Sequence, residues 1–173
     1  MKKIFAICGS TKTASTNLLF IAAIAQLLGA EYEVTTLDSI ADLPHFNPDS
    51  DTMHPPQQVE QLRKSMSQAD GILISTPEYA MGLPGSLKNV MDWTVSSSSF
   101  SRKPVLAIVA SSQGEKAYQS LIDILTVIEA EVYPLLIPYA KTKINQEATI
   151  SDAETLAALK STLDQFVANL SNG

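Results

Sequence analysis

The chain has a single cysteine, Cys8, in 173 residues. No intrachain disulfide can form, and the lone cysteine argues against a cysteine-based metal site, which suits a reducing cytoplasm. Positive charge is scarce as well. Lys and Arg number 12 against 18 Asp and Glu, for a net charge of −6. That balance argues against nucleic acid or an anionic membrane as a partner. It leaves room for a phosphorylated small molecule, because one local loop can hold phosphate inside an acidic protein. Membrane-length apolar runs are missing: the pattern from Leu18 to Leu28 is too short and is soon followed by charge. Met1-Lys2-Lys3-Ile4 has the charge of a signal peptide start, but the apolar run behind it stops at Cys8. Histidine is confined to His45 and His54, both in a proline-rich stretch with no nucleophile elbow. Both read as solvated loop residues, not as metal ligands or triad members.

What remains is an ordinary globular composition, 45% hydrophobic, long enough for one domain over residues 1–173 with a sizeable core. Short apolar runs alternate with helical patterns. Lys3–Cys8, Tyr32–Leu37, Gly71–Ser75, Pro104–Ala110 and Glu131–Ile137 read as strands. Pro134 marks the last as an edge strand or a bulge. Cys8, inside the first strand, reads as a small buried apolar residue. Helices are expected over Asn17–Leu28, along the stripe Val59, Leu62, Met66 and Ala69, over Ser86–Trp93 and over Glu115–Glu129. A last helix follows the capping box Ser151-Asp152-Ala153-Glu154. Asp38–Pro56 reads as an irregular loop, and Ser96–Ser101 as a flexible surface connection. Five strands alternating with helices imply a parallel sheet covered on both faces. Right-handed crossovers make it a doubly wound three-layer α/β/α sandwich, whose ligands sit beyond the carboxyl ends of the strands.

Three loops lie at such ends: Gly9–Asn17, Thr76–Gly85 and Ser111–Gly114. The first runs from a strand into a helix and is rich in hydroxyls. Helix N-terminal N–H groups, the helix dipole, Ser10, Ser15, Thr16, Asn17 and the charge of Lys12 together suit a phosphate. The same residue types also serve as ordinary helix caps. The loop lacks the Walker A pattern and the three glycines of the dinucleotide fingerprint, so it suits one terminal phosphate. In the second loop, prolines and glycines fix the backbone. Tyr79 and Met81 offer a surface for a flat heteroaromatic ligand, or else Tyr79 packs into the core. Glu78 reads either as an acid/base or, preferably, as a structural residue that hydrogen-bonds backbone or a neighbouring subunit.

Gly9-Ser10-x-Lys12-x-x-Ser15-x-Asn17 resembles the G-S-x-R-x-x-S-x-N opening of the NADPH-dependent FMN reductases. Thr76-Pro-Glu-Tyr-Ala-Met-Gly-Leu-Pro-Gly-Ser-Leu-Lys-Asn-Val-Met-Asp-Trp93 is similar to that family's T-P-E-Y-N-x-x-x-P-G-x-L-K-N-x-I-D-W segment. The likeness runs from Ile4 to about Ile137. It implies a flavodoxin-like fold with strand order 2-1-3-4-5 and bound FMN, with NADPH or NADH as co-substrate. It also implies a small-molecule electron acceptor such as a quinone or free flavin, ping-pong turnover, and a homodimer or homotetramer. Ser10, Lys12, Ser15, Thr16, Asn17 and Leu18 would form the phosphate side. Pro77, Glu78, Tyr79, Ala80 and Met81 would border the isoalloxazine ring. Ser111, Ser112, Gln113 and Gly114 would lie on its other side. No side chain is expected to act as a nucleophile, since the flavin carries the chemistry. Lys12 stands where relatives have arginine, Ala80 where they have asparagine, and the third loop lacks their glycine pair. A non-enzymatic electron carrier and a flavin-free interaction protein are the alternatives of the same fold.

Overall fold

The computed structural model describes residues 1–170. Its strands are β1 (Lys2–Cys8), β2 (Tyr32–Thr36), β3 (Gly71–Thr76), β4 (Pro104–Ala110) and β5 (Glu131–Ile137). They form one five-stranded sheet in the order β2-β1-β3-β4-β5, and every pairing is parallel. This is the flavodoxin-like order. The central strands β3 and β4 are buried along their whole length, as their continuous apolar runs require when helices cover both faces. The edge strands β2 and β5 are only half-buried for most of theirs. Pro134 pairs in register with Ala107 and is tolerated because β5 is an edge.

Helices α1 (Thr16–Leu28) and α5 (Ala153–Leu170) cover one face; α2 (Gln57–Gln68), α3 (Gly85–Thr94) and α4 (Glu115–Val127) cover the other. Alternation along β1 decides which residue joins which core. Ile4, Ala6 and Cys8 pack with Phe20, Ile24 and Phe166, whereas Phe5 and Ile7 pack with Leu62, Met66 and Trp93. Because the strands are parallel, all their carboxyl ends lie along one edge of the sheet, and the connecting loops gather there.

Three local expectations change. Ser96–Ser101 folds as consecutive turns that bury Phe100 in the core; the aromatic ring gives the serines an apolar anchor, so this is no loose surface connection. The start of α5 is not a Ser151–Glu154 box: Asp152 Oδ1 accepts from the Thr155 N–H at 2.9 Å and from its hydroxyl. The proline-rich stretch is indeed irregular, yet it is fastened. Pro44 O accepts from Asn89 Nδ2 at 2.9 Å and from Trp93 Nε1 at 2.8 Å, and Phe46 packs edge-on against Trp93. His45 and His54 are both exposed.

Candidate functional site

β1 ends at Cys8 and the chain turns off the sheet at Gly9. The Gly9 N–H donates to Ser75 O at 2.8 Å, which presses the loop onto the end of β3. A Cβ at Gly9 would stand 2.2 Å from Thr76 Oγ1, so close approach is what requires glycine here. Beneath the loop, burial pushes the Cys8 thiol above its ordinary range, which makes it an inert core residue.

Ser15 caps α1. Its backbone is extended, and its Oγ accepts from the Asn17 N–H at 3.2 Å. The Thr16 N–H, at the first helical position, has no intrahelical acceptor by geometry. The first turn of α1 carries no acidic residue, so nothing there repels an anion from the positive end of the helix. Asn17 is buried and its amide is engaged. Its Oδ1 accepts from Ser75 Oγ at 2.9 Å, and its Nδ2 donates to Ala110 O at 3.3 Å. Asn17 therefore ties the start of α1 to the ends of β3 and β4.

The second loop turns tightly: Tyr79 and Gly82 exchange backbone hydrogen bonds at 3.0 Å. Ala80 and Met81, at the tip, both have positive φ. Tyr79 is 49% exposed and so is not packed into the core. Its hydroxyl lies 3.2 Å from Ser10 Oγ, closing a bridge from the second loop to the first. Glu78 reaches the other way. Its Oε2 accepts from the backbone N–H of Lys116 at 2.9 Å and of Ala117 at 3.0 Å. The residue preceding α4, Gly114, has no side chain to cap with, and Glu78 does that work from a neighbouring loop. The Glu78 N–H in turn donates to Ser111 Oγ at 3.2 Å.

A fourth segment completes the edge. After β5, the Tyr139 N–H donates to Ser112 O at 3.1 Å and the Ala140 N–H to Ser111 O at 3.0 Å. Tyr139 holds a left-handed backbone at φ 54 and is 66% exposed.

Together these segments enclose a cavity of about 510 Å³, within the range of small-molecule sites. Ser10, Lys12, Ala14, Ser15, Thr16 and Asn17 line it from the first loop and the start of α1; Pro77, Glu78, Tyr79, Ala110, Ser111 and Ser112 from the ends of β3 and β4 and the loops after them; Tyr139, Ala140, Lys141 and Thr142 from the segment after β5. Of the residues singled out in sequence, five lie outside this lining. Leu18 packs toward the α1–α5 core, Ala80 and Met81 sit exposed at the turn tip, Gln113 is exposed, and Gly114 is buried ahead of α4. The segment 139–142 was not visible as a site element. The signal that finds it is positional: it too follows the carboxyl end of a parallel strand.

The donors and shape fit one flavin mononucleotide. A helix N-terminus free of acid, hydroxyls and a lysine suit its phosphate. Half-exposed Tyr79 and the apolar Pro77 and Ala110 suit a flat ring system.

Among known proteins, the profile of the NADPH-dependent FMN reductases matches residues 2–141. A quinone reductase of Escherichia coli strain K12 is 33% identical over 136 residues, covering 75% of this chain and 72% of its own. The NADH-dependent flavin reductase subunit 2 of Lactobacillus johnsonii is 30% identical over 179 aligned residues, covering 95% of each chain. Among solved structures, the flavoenzyme NAD(P)H:(acceptor) oxidoreductase FerB from Paracoccus denitrificans superposes with a TM-score of 0.84 at 24% identity, covering 99% of this chain and 98% of its own. An archaeal flavodoxin superposes at 0.62 with 12% identity, covering 98% of this chain and 97% of its own, a likeness of fold alone. With its profile match extending from β1 past β5 and relatives of this identity and coverage, the chain belongs to the NADPH-dependent FMN reductase family.

Proposed function

We propose that the protein is an FMN-dependent NAD(P)H oxidoreductase that reduces quinones, free flavin or similar small acceptors by a ping-pong scheme. The observation that carries the reading is the cavity of about 510 Å³ that the loops after β1, β3, β4 and β5 share, with an acid-free helix N-terminus and an exposed tyrosine in its lining. FMN, when bound, supplies the redox chemistry. The chain's residues bind and orient. Ser10, Ser15, Thr16 and Lys12 hold the phosphate, with the backbone N–H groups at the start of α1. Pro77 and Tyr79 border the ring. Glu78 acts through structure: by fastening α4 it fixes the third loop, Ser111 to Gly114, on the opposite side of the ring. No acid, base or nucleophile is required of the protein. One cavity serves both substrates, so the oxidised nicotinamide leaves before the acceptor enters.

The reading includes one domain over residues 1–173, a homodimer, and a cytoplasmic location, which suits the lone buried Cys8. Among the described residues, no helix is long and apolar enough to cross a membrane.

The test is spectroscopic. Purified protein is loaded with FMN and mixed with NADH or NADPH, with and without a quinone. Bleaching of bound flavin by the nicotinamide, and its recovery on adding quinone, is the expected result. Bound flavin that neither nicotinamide bleaches would make the protein an electron carrier. Failure to bind FMN at micromolar concentration would leave a flavin-free binding protein.

A further inference from the structure

We propose that Lys141, on the segment after β5, is a second cationic ligand of the FMN phosphate, together with Lys12; this rests on the FMN reading above. Lys141 lines the same cavity as Lys12, Ser15 and Thr16, although it comes from the other end of the chain. Its base is fixed. Ala140, just before it, is buried and is bonded through its N–H to Ser111 O at 3.0 Å, and the Lys143 N–H closes the turn on Ala140 O at 3.2 Å. Tyr139 holds a left-handed backbone there, a conformation that persists only where surrounding structure imposes it. The neighbouring Thr142 hydroxyl is spent on Tyr139 O at 2.9 Å. That leaves the lysine as the segment's charged group.

The charge balance of the cavity points the same way. Among the described residues, neither Lys12 nor Lys141 takes part in an ion pair. The one carboxylate in the lining, Glu78, already accepts from two α4 N–H groups. A protein of net charge −6 thus lines one recess with two lysines. Like charges facing one recess repel unless an anion joins them. A phosphate monoester carries roughly −1.5 to −2 at neutral pH, which two lysines match and one does not. Lys12 is a compact point charge without arginine's bidentate fork, so a second lysine restores what the first loop gives up.

The experiment separates phosphate from ring. Apoprotein is titrated with FMN and with riboflavin, which lacks the phosphate, by flavin fluorescence, for the wild type, Lys141→Ala and Lys141→Arg. Lys141→Ala is expected to weaken FMN about 5- to 10-fold, as loss of one charge-assisted contact does, and to leave riboflavin within about twofold of wild type. Lys141→Arg is expected to restore FMN binding, and the gap between wild type and Lys141→Ala is expected to shrink at high salt. Equal weakening of both flavins would overturn the inference by placing Lys141 at the ring. An unchanged FMN affinity would overturn it by leaving the lysine to a second substrate or to solvent. If the wild type binds no flavin, the functional reading fails, and inorganic phosphate becomes the probe. Phosphate should then raise the melting midpoint of the wild type more than that of Lys141→Ala; an equal rise in both would overturn the inference separately.

Discussion

The Ser75 hydroxyl donates to Asn17 Oδ1 at 2.9 Å, and through that bond the first turn of α1 is seated on the end of β3. The same amide donates to Ala110 O on β4. Asn17 therefore fixes the position of Ser15 and Thr16, the residues that the proposed function puts at the phosphate. Asn17→Ala leaves a buried hydroxyl and a buried carbonyl without their partner, at a cost of about 2–3 kcal/mol. The expected outcome is a lower urea midpoint with an unchanged m-value, and weaker FMN binding in a still cooperative fold. Ser75→Ala removes only one of the two bonds and should cost less. An Asn17→Ala protein as stable as wild type would show that these bonds do not hold the loop.

Glu78 is the corresponding device for the third loop. Removing its side chain strips two first-turn N–H groups of α4 of their acceptor. Glu78→Ala should cost about 1 kcal/mol, as loss of an N-cap does. Glu78→Gln keeps an acceptor but loses the charge that favours a helix N-terminus, and should fall between. Amide exchange reads this directly: Lys116 and Ala117 should exchange faster in Glu78→Ala. Unchanged exchange at those two amides would remove the capping role.

The strands and the order of elements were legible because short apolar runs, punctuated by Gly9, Gly71 and proline, have few other readings. That the first loop would line the strand-end cavity was legible because it is a hydroxyl-rich turn running from a strand into a helix. The engagement of Asn17 was not: its partners Ser75 and Ala110 lie 58 and 93 positions away, and only the packed sheet brings them together. The segment 139–142 was missed for a different reason. It lines the cavity because of its place after the last strand, and one tyrosine and one lysine in a short run match no recognisable motif taken alone. Phe100 carried a signal that the serines around it masked, since one aromatic in a polar run has a core to reach.

A partly buried ion pair fastens the proline-rich stretch. Arg63 on α2 donates to Trp93 O through Nε at 2.9 Å, and through Nη2 to Asp51 Oδ1 at 2.7 Å and Ser96 Oγ at 3.0 Å. Both side chains are mostly covered, at 16% and 12% exposure. The hydrogen bond from Arg63 holds the Asp51 carboxyl below its ordinary range. A carboxyl lowered in the folded state adds stability above its unfolded pKa, about 3.9 for aspartate. That contribution is lost as pH falls through the lower, folded value. Asp51→Asn should therefore reduce stability at pH 7 and flatten its fall below about pH 4. Arg63→Ala should cost about 2–3 kcal/mol. Urea melts between neutral and acid pH check both; parallel stability curves for wild type and Asp51→Asn would rule out this linkage.

Gly9 offers the sharpest steric test, because nothing in its backbone dihedrals demands glycine. A Cβ there meets Thr76 Oγ1 at 2.2 Å and Thr76 Cβ at 2.6 Å. A rotation of the threonine could clear the hydroxyl but not the Cβ, which is fixed to the backbone of β3. Gly9→Ala must therefore push the first loop off the sheet, breaking the 2.8 Å bond from Gly9 N to Ser75 O. Overpacking of this kind costs about 1–3 kcal/mol. Thr76→Ala in the same chain removes the nearer contact and keeps the other, so it should recover part of the loss and not all of it. Because the displaced loop carries Ser10 and Lys12, FMN affinity should fall with stability in Gly9→Ala and recover in step with it in the double variant. Full stability and full affinity in Gly9→Ala would mean that the loop shifts without cost, and the close contact with β3 would no longer explain the glycine.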